Sequence, residues 1–521
     1  MLPQKPDRGW FDFSHGLLSL GVVATIPILF AAVQPWVWSL YCLAMILAFI
    51  PALWTVGRGG GSLRVDRAHI PVVLFFAWTL LLCLPMPHSI LALISPTRSD
   101  LLVQTWLLTG LEPAWEAVGY ASARSLAWWL FLLSLGLFYT VVRNLCTETR
   151  MLKRVVGVMI AVGLVEAAYG LIQVLVPSMG VLTVKDIQAY LGSARGTFIN
   201  RNNFAGFIEM IWPLALGATL AQAGRFASFR AALESDRLGR QVLSAVGVII
   251  LLLALIFTHS RAGIASGVVG LLVFSAMARA GASTPAFKTR VLLGGVIGGL
   301  SVYALAIGVG PVLERFLTIV TDGRFRLDVW RDSLPIIRDH PLGIGLRNYE
   351  LVFPVYNQSP NFDMTVVFAH NDYLQLLIET GWVGFFAVVV GLVIFLGHAG
   401  RRIRQLNPRR DPLRFYLAVG AFSGIISTAV HCLFDFNLQI PANCLYFVVL
   451  MAVLSACTVP CTGSAGLSGP SRDRPRSAGP QDDQPNGMEN PLRVVYGKAL
   501  RALYRTASMV SPTPTRWGRR W

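Results

Sequence analysis

The residues that invite chemistry are polar ones set against an otherwise apolar chain. Between residues 311 and 372 lie Arg315, Arg324, Arg326, Arg331, Arg338 and Arg347. The stretch GRFRLDVWRDSLPIIRDHP predicts a helix from about Phe325 to Asp339, with Pro335 as a possible kink. Arg324, Arg331 and Arg338 recur every seven residues, drift by only about 20° per step, and so share one face. Guanidinium groups make forked, charge-assisted bonds to phosphate oxygens, so such a face suits a phosphate ligand. The alternative is structural pairing with Asp322, Asp328, Asp332 and Asp339. Trp330, Leu334 and Ile337 form a neighbouring face expected to pack against the rest of the chain.

The stretch AHNDYLQLLIETGWVG comes next. His370 opens it, and on a helix Asn371, Asp372, Gln375 and Glu379 fall within about 100° of arc. Polar groups on an apolar helix must face protein or a watery cleft, which puts His370 at the mouth of one. An imidazole titrates near 6.5 and accepts a proton at neutral pH, although a lone interfacial His is often only structural. Three further clusters carry similar groups. RGTFINRNNFAG holds Arg195, Asn200, Arg201, Asn202 and Asn203; THSRAG holds His259, Ser260 and Arg261; HCLFDFNLQIPAN holds His431 and Asp435. Arg261 sits in a turn so short that it must lie near the membrane surface, on a ligand or snorkelling to headgroups. His431 and Asp435, one helical turn apart, read as a hydrogen-bonded pair, because two ligands are too few for a metal.

The elements that position these residues are membrane helices. The chain has 521 residues, 54% hydrophobic and 14% charged, with a mean hydropathy of +0.59. A soluble domain carries roughly 25% charged residues. An ordinary soluble enzyme, a disordered chain, a collagen and a disulfide scaffold are excluded. The seven cysteines show no CxxC or metal-ligand array and read as small packing residues. A crossing helix needs about 20 apolar residues. Twelve spans are expected, near 16–34, 36–56, 69–85, 124–142, 155–177, 204–223, 241–258, 262–278, 291–310, 373–398, 415–433 and 440–457. The fold class is therefore all-α and polytopic, with a helical outer loop between spans 9 and 10. The first span is expected to be an uncleaved anchor.

Five short loops on one side hold twenty of the basic residues, from Arg58 to Arg414, whereas the longer loops on the other side hold about eleven. The basic side is expected to be cytoplasmic, with both termini there, and the segments 86–123, 178–203 and 311–372 to face outward. This accounts for the net charge of +17 without nucleic acid. Residues 1–457 form the membrane domain. Residues 458–521, rich in Gly, Pro, Ser and Arg, are expected to be a disordered basic cytoplasmic tail, with NPLRVVYGKALRALYRTA as a basic amphipathic segment on anionic lipid.

Together the motifs resemble the O-antigen ligase and polymerase superfamily of bacterial membrane glycosyltransferases. The ligase pattern is His, then Asn, Ser or Arg, nine residues, Gly, two residues, then Gly, Thr or Tyr. Here His370 and Asn371 are followed by nine residues, Gly381, Trp382–Val383 and Gly384. GTFINRNNFAG, SRAG, RFRLDVW…HPLGIGLRNY and FDFNLQIPAN resemble family segments in family order, over about residues 190–457.

The resemblance implies a fold of about twelve helices with a periplasmic helical loop in the bacterial inner membrane. It implies a glycan donor on undecaprenyl diphosphate, and lipid A-core or another glycan as acceptor. It assigns His370 to the acceptor hydroxyl and Arg261 and Arg326 to the diphosphate; Arg195 and Arg201 match less securely. Asn203, Arg324, Arg331 and Asn371 complete the candidate substrate-binding set. The expected reaction is metal-independent, inverting and free of cofactors, since no Asp-x-Asp pair, nucleotide-sugar pattern or Gly-rich phosphate loop occurs. Polysaccharide polymerases of the same superfamily share much of this pattern. A transporter or lipid flippase is the reading from a different class, with Glu166, Glu209 and Glu379 as intramembrane carboxylates, and a noncatalytic scaffold is a third.

Overall fold

The structure is a computed structural model that describes residues 8–57, 69–110, 115–182, 190–222, 235–280, 319–358 and 365–458. The chain divides into two compact units, Met1–Pro51 with Arg64–Val459, and Ala52–Leu63 with Pro460–Trp521; the site lies in the first. The described residues are almost entirely helical. In chain order the helices are α1 (Arg8–Thr25), α2 (Pro35–Gly57), α3 (His69–Leu81), α4 (His88–Ile94), α5 (Pro96–Thr109), α6 (Ser122–Leu145), α7 (Thr149–Leu175), α8 (Arg201–Ala221), α9 (Asp236–Phe257), α10 (Arg261–Ala280), α11 (Ile319–Asp339), α12 (Tyr349–Tyr356), α13 (Asp372–Gln405), α14 (Pro412–His431) and α15 (Pro441–Thr458).

Nine of these are long and apolar enough to cross a membrane: α2, α6, α7, α8, α9, α10, α13, α14 and α15. Two expected spans come out shorter, with apolar helix over Gly16–Thr25 and Ile70–Leu81 only. In the first, the helix gives way at Thr25, ahead of Pro27, to a 3-10 turn at Phe30–Ala32 with positive φ. Proline two residues on disfavours helix in the residue before it. The expected span at 291–310 and the tail from 459 onward lie outside the described residues.

The centre of the bundle is α8, α14 and α15, whose side chains are mostly buried. The contact between α8 and α14 is close because glycine permits it. A Cβ on Gly217 would strike the carbonyl of Tyr416, and one on Gly420 the carbonyl of Pro213. Small residues that let backbones approach are the usual currency of helix packing in lipid, where no hydrophobic force drives association. At the opposite end from the candidate site, Arg414 donates to the carbonyls of Ala456 (2.8 Å) and Thr147 (2.7 Å), and Arg143 Nε to Ser455 Oγ (2.9 Å).

The helix α13 is broken at Gly381, where φ is +62° and ψ is −173°, a conformation open essentially only to glycine. Four backbone groups around the break find partners outside the helix. The Ile344 and Gly345 amides donate to the carbonyls of Ile378 (3.1 Å) and Glu379 (2.9 Å). The Trp382 amide donates to Pro341 (3.2 Å), and Trp78 Nε1 donates to Thr380 (2.7 Å). Residues 382–405 alone are about 36 Å of helix at 1.5 Å per residue, enough to cross. Residues 372–380 instead join an outer layer with α11 and α12, built on Val329, Ile336, Tyr349, Phe353 and Ile378.

This layer changes the meaning of the polar stripe. Asp372, Gln375 and Glu379 are buried in protein and line no cleft. Gln375 donates to Glu379 (2.9 Å), and Glu379 accepts from the Arg347 amide (2.9 Å). The α11 helix runs through Pro335 to Asp339. Of its expected packing face, Trp330 and Ile337 join the outer core, but Leu334 remains 58% exposed.

Candidate functional site

One helix start, one helix face and two turns meet on Asp435. This residue follows α14 in a tight turn, in which the Cys432 and Phe434 amides donate to Thr428 and His431 (both 2.9 Å). Its side chain is wholly buried. Oδ2 accepts from Asn202 Nδ2, near the start of α8, at 2.7 Å, and from Arg326 Nη2 on α11 at 3.1 Å. Oδ1 accepts from the Phe436 amide (2.9 Å) and lies 3.9 Å from His370 Nδ1. That last distance exceeds a hydrogen bond, and an approach of about 1 Å would make one.

His370 is held from every side. Its φ is +51°, an uncommon conformation for any residue but glycine. The ring stands edge-on to Phe325 (5.5 Å between centroids) and Phe436 (4.9 Å), and Phe368 stacks on Phe436 (4.5 Å). Trp330 Nε1 donates to the Ala369 carbonyl (2.9 Å), and the Ala369 amide donates to Gln375 (3.1 Å). Asn371 Oδ1 caps α13, accepting from the Tyr373 and Leu374 amides at 3.0 Å each. Burial pushes the imidazole pKa below its ordinary value; Asp435 opposes that shift and Arg326 adds to it. A neutral imidazole with Nδ1–H turned to Asp435 keeps its Nε2 lone pair for a proton.

The neighbouring group joins this one through adjacent residues. Asn200 caps α8 by accepting from the Asn202 amide (2.8 Å), and Arg201 is the first residue of that helix. Arg201 Nη1 donates to Ser193 Oγ (3.3 Å), which lies 3.2 Å from His259 Nδ1. The Arg201 guanidinium also stands 5.0 Å over the Tyr190 ring. The Ala194 amide donates to Phe257, tying this loop to the end of α9 (2.8 Å). Ser260 Oγ accepts from the Gly263 amide (3.2 Å), so Arg261 is presented on the first turn of α10, half-buried.

The structure thus brings together His370, Arg326 and Asn202, and sets Arg201 and Arg261 on the starts of α8 and α10 at the same end of the bundle. Other candidates stand elsewhere. Arg195 is 2% exposed, sunk behind the loop, and burial lowers its pKa. Asn203 is buried in the bundle, and its main-chain carbonyl accepts from Asn443 Nδ2 (2.8 Å). Arg324 and Arg331 are exposed on other faces of α11 than Arg326. Arg331 is engaged by Asp328 (3.4 Å) and Asp332 (3.0 Å), and Arg338 by Asp339 (3.0 Å). His431 does not hydrogen-bond Asp435; its Nδ1 lies 2.9 Å from Glu209 Oε1.

Sequence reasoning missed the hub role of Asp435, the part of Asn202 and the aromatic frame of Phe325, Phe368 and Phe436. It also missed Arg347 as a site neighbour. Its guanidinium lies 4.1 Å over Trp128 and 5.2 Å over Phe368, and donates to Gln439 (3.5 Å). The only available signal was Asp435 set between two phenylalanines. An apolar groove lined by Leu334, Ile337, Pro341, Leu374, Leu377 and Trp382, with Arg338 also lining it, lies along α11 and α13.

No curated protein matches the chain. Residues 246–389 match the family model described as O-antigen ligase. That stretch carries Arg261, Arg326 and His370, while Asn202 and Asp435 lie outside it. Over this stretch the chain is similar to the O-antigen ligase family, in keeping with the resemblance that its motifs carry in their order.

Proposed function

We propose that the protein transfers a glycan from undecaprenyl diphosphate to an acceptor hydroxyl at the periplasmic face of the inner membrane, in the manner of an O-antigen ligase with lipid A-core as acceptor. The observation that carries this reading is the sharing of one buried carboxylate, Asp435, by a guanidinium and an imidazole at one end of the bundle. His370 Nε2 takes the proton of the acceptor hydroxyl. The oxygen attacks the anomeric carbon from the face opposite the diphosphate, so the new bond has inverted configuration. The bond from the anomeric carbon to the phosphate oxygen breaks, and its electrons leave on the diphosphate. Arg326 and Arg261 meet that charge in a water-poor site, where fixed cations are most effective. The starts of α8 and α10 add partial positive charge. The apolar groove along α11 and α13 accommodates the lipid tail.

Glu166, Glu209 and Glu379, the carboxylates that ion-coupled transport would use, are each engaged by their own chain. Glu166 accepts from Thr197 (2.8 and 2.9 Å), and Glu209 from Ser266 (2.9 Å). That supports transfer over transport.

The test uses purified protein, lipid-linked donor and acceptor. His370→Gln and Arg326→Gln should abolish detectable transfer, Arg324→Gln should leave it within about twofold, and EDTA should leave it unchanged. Full transfer by His370→Gln overturns the assignment. In a deletion strain, lipid-linked polymer without decorated lipid A-core fits a ligase; accumulated single repeat units would make the protein a polymerase.

A further inference from the structure

Outside the spans, one element presents an apolar surface that nothing described covers. Strands β1 (Met86–Pro87) and β2 (Trp115–Glu116) pair antiparallel and close the chain around α4 and α5. The base of this hairpin is packed. Leu91, Leu102 and Val118 form a small core with Leu82, Ser99 Oγ meets His88 Nε2 at 3.1 Å, and buried Arg98 lies 4.4 Å from the Tyr120 ring centre.

Beyond Gln104 the situation reverses. Every residue from Gln104 to Gly110 is exposed, and the stretch reads QTWLLTG. Leu107 is 77% exposed and Leu108 87%; Leu93, on α4, is 82% exposed and Trp115 61%. The two threonines turn their hydroxyls back on their own helix, Thr105 to the Leu101 carbonyl (2.8 Å) and Thr109 to Thr105 (2.9 Å). Residues 101–110 contain no charge. A helix end that exposes a tryptophan and two leucines with no charge beside them presents an apolar patch that marks an interaction surface. Fourteen residues are too few to cross a bilayer and suit an interfacial segment.

We infer that the α4–α5 hairpin dips its tip into the outer leaflet and is held there by acyl chains. Exposed apolar side chains also mark α3, at Ile70, Val73, Leu74 and Leu81, and the chain leads from there through exposed Leu84 into β1. Trp106 and Trp115 are exposed beside the leucines, as the interfacial aromatic belt requires. The hairpin is also bolted to the outer layer. The Gly119 amide donates to Leu82 (2.9 Å), the Tyr120 amide to Ile344 (3.0 Å), and Tyr120 Oη lies 3.2 Å from His340 Nε2. Leaflet insertion of the tip therefore sets the height of the layer that carries Arg326 and the residues before α13. This inference is independent of the transfer chemistry.

The test is a depth measurement on the full chain in nanodiscs of phosphatidylethanolamine and phosphatidylglycerol. Leu107→Cys carries an environment-sensitive fluorophore, with labelled wild type subtracted for the native thiols. The expected result is blue-shifted emission, quenched at least threefold more by doxyl-labelled phospholipid than by iodide. Leu93→Cys should behave alike, and both replace side chains more than three-quarters exposed, so neither disturbs packing. Quenching mainly by iodide overturns the inference. So does shielding from both quenchers, which would assign the surface to a second copy or a partner protein.

Discussion

Asp435 holds two cationic or proton-bearing groups that neither α11 nor the segment before α13 could fix alone. Removing one member of a buried charged pair leaves the rest unpaired and is expected to destabilise by about 3 kcal/mol. Asp435→Ala should therefore lower the unfolding temperature in detergent and cut transfer by about 100-fold or more, whereas Asp435→Asn, which keeps its shape and its bond to the Phe436 amide, should be milder on stability than on transfer. The imidazole supplies a pH signature. Burial depresses the His370 pKa, Asp435 pulls it up and Arg326 pushes it down. The base form is then present above an ordinary histidine value of about 6.5, and the rate should be flat there and fall in acid. Arg326→Lys retains a cation and should leave the acid limb in place, while Asp435→Asn should move it to lower pH, as pH–rate profiles of the purified variants would register. Protonation of the buried imidazole also favours the unfolded chain, so stability should be lost as pH falls through its depressed folded-state value. The identities of His370 and Arg326 were legible as reactive groups in polar clusters. Their meeting place was not, because the Arg326–Asp435 and Asn202–Asp435 bonds span 109 and 233 residues, and no periodicity reports such contacts. Asn203 is buried for a local reason: neighbours on a helix differ by about 100° in direction, so the residue one place after Asn202 turns toward the core.

The break in α13 governs the element scale. Apolar length made the span legible, but a glycine in a helical run looks merely tolerated until its partner is known. The partner is the turn after α11. A Cβ on Gly381 would collide with the carbonyl carbon of Leu342 and the carbonyl oxygen of Pro341, and φ there is positive. Gly381→Ala should destabilise by more than about 1 kcal/mol and displace the His370 segment. It should therefore lower both the unfolding temperature and the transfer rate. Gly420→Leu tests a different contact: with α14 forced away from α8, unfolding should come at lower temperature, and the loss should exceed that of Gly397→Leu, a position with open space around it.

Across the whole molecule, alternation of helix direction puts the starts of α8, α10, α13 and α15 at the candidate-site end and the ends of α6 and α13 at the other. If the basic loops are cytoplasmic, a cysteine at exposed Arg331 should react with a membrane-impermeant reagent on intact spheroplasts, and one at exposed Arg402 only after lysis. Apolar length and basic asymmetry made this arrangement readable. The outer layer was not, since its core draws on Val329, Tyr349 and Ile378 from three separate helices, and each alone looks like an ordinary apolar residue.

The turn after α14 has a consequence for biogenesis. Asn202, Arg326 and His370 are all synthesised before the residue that gathers them. A ribosome that stalls short of residue 435 releases a chain already bearing its guanidinium and its imidazole but lacking their common anchor. On the proposed reading such a fragment should transfer nothing, so competence arrives only once the turn after α14 has been made.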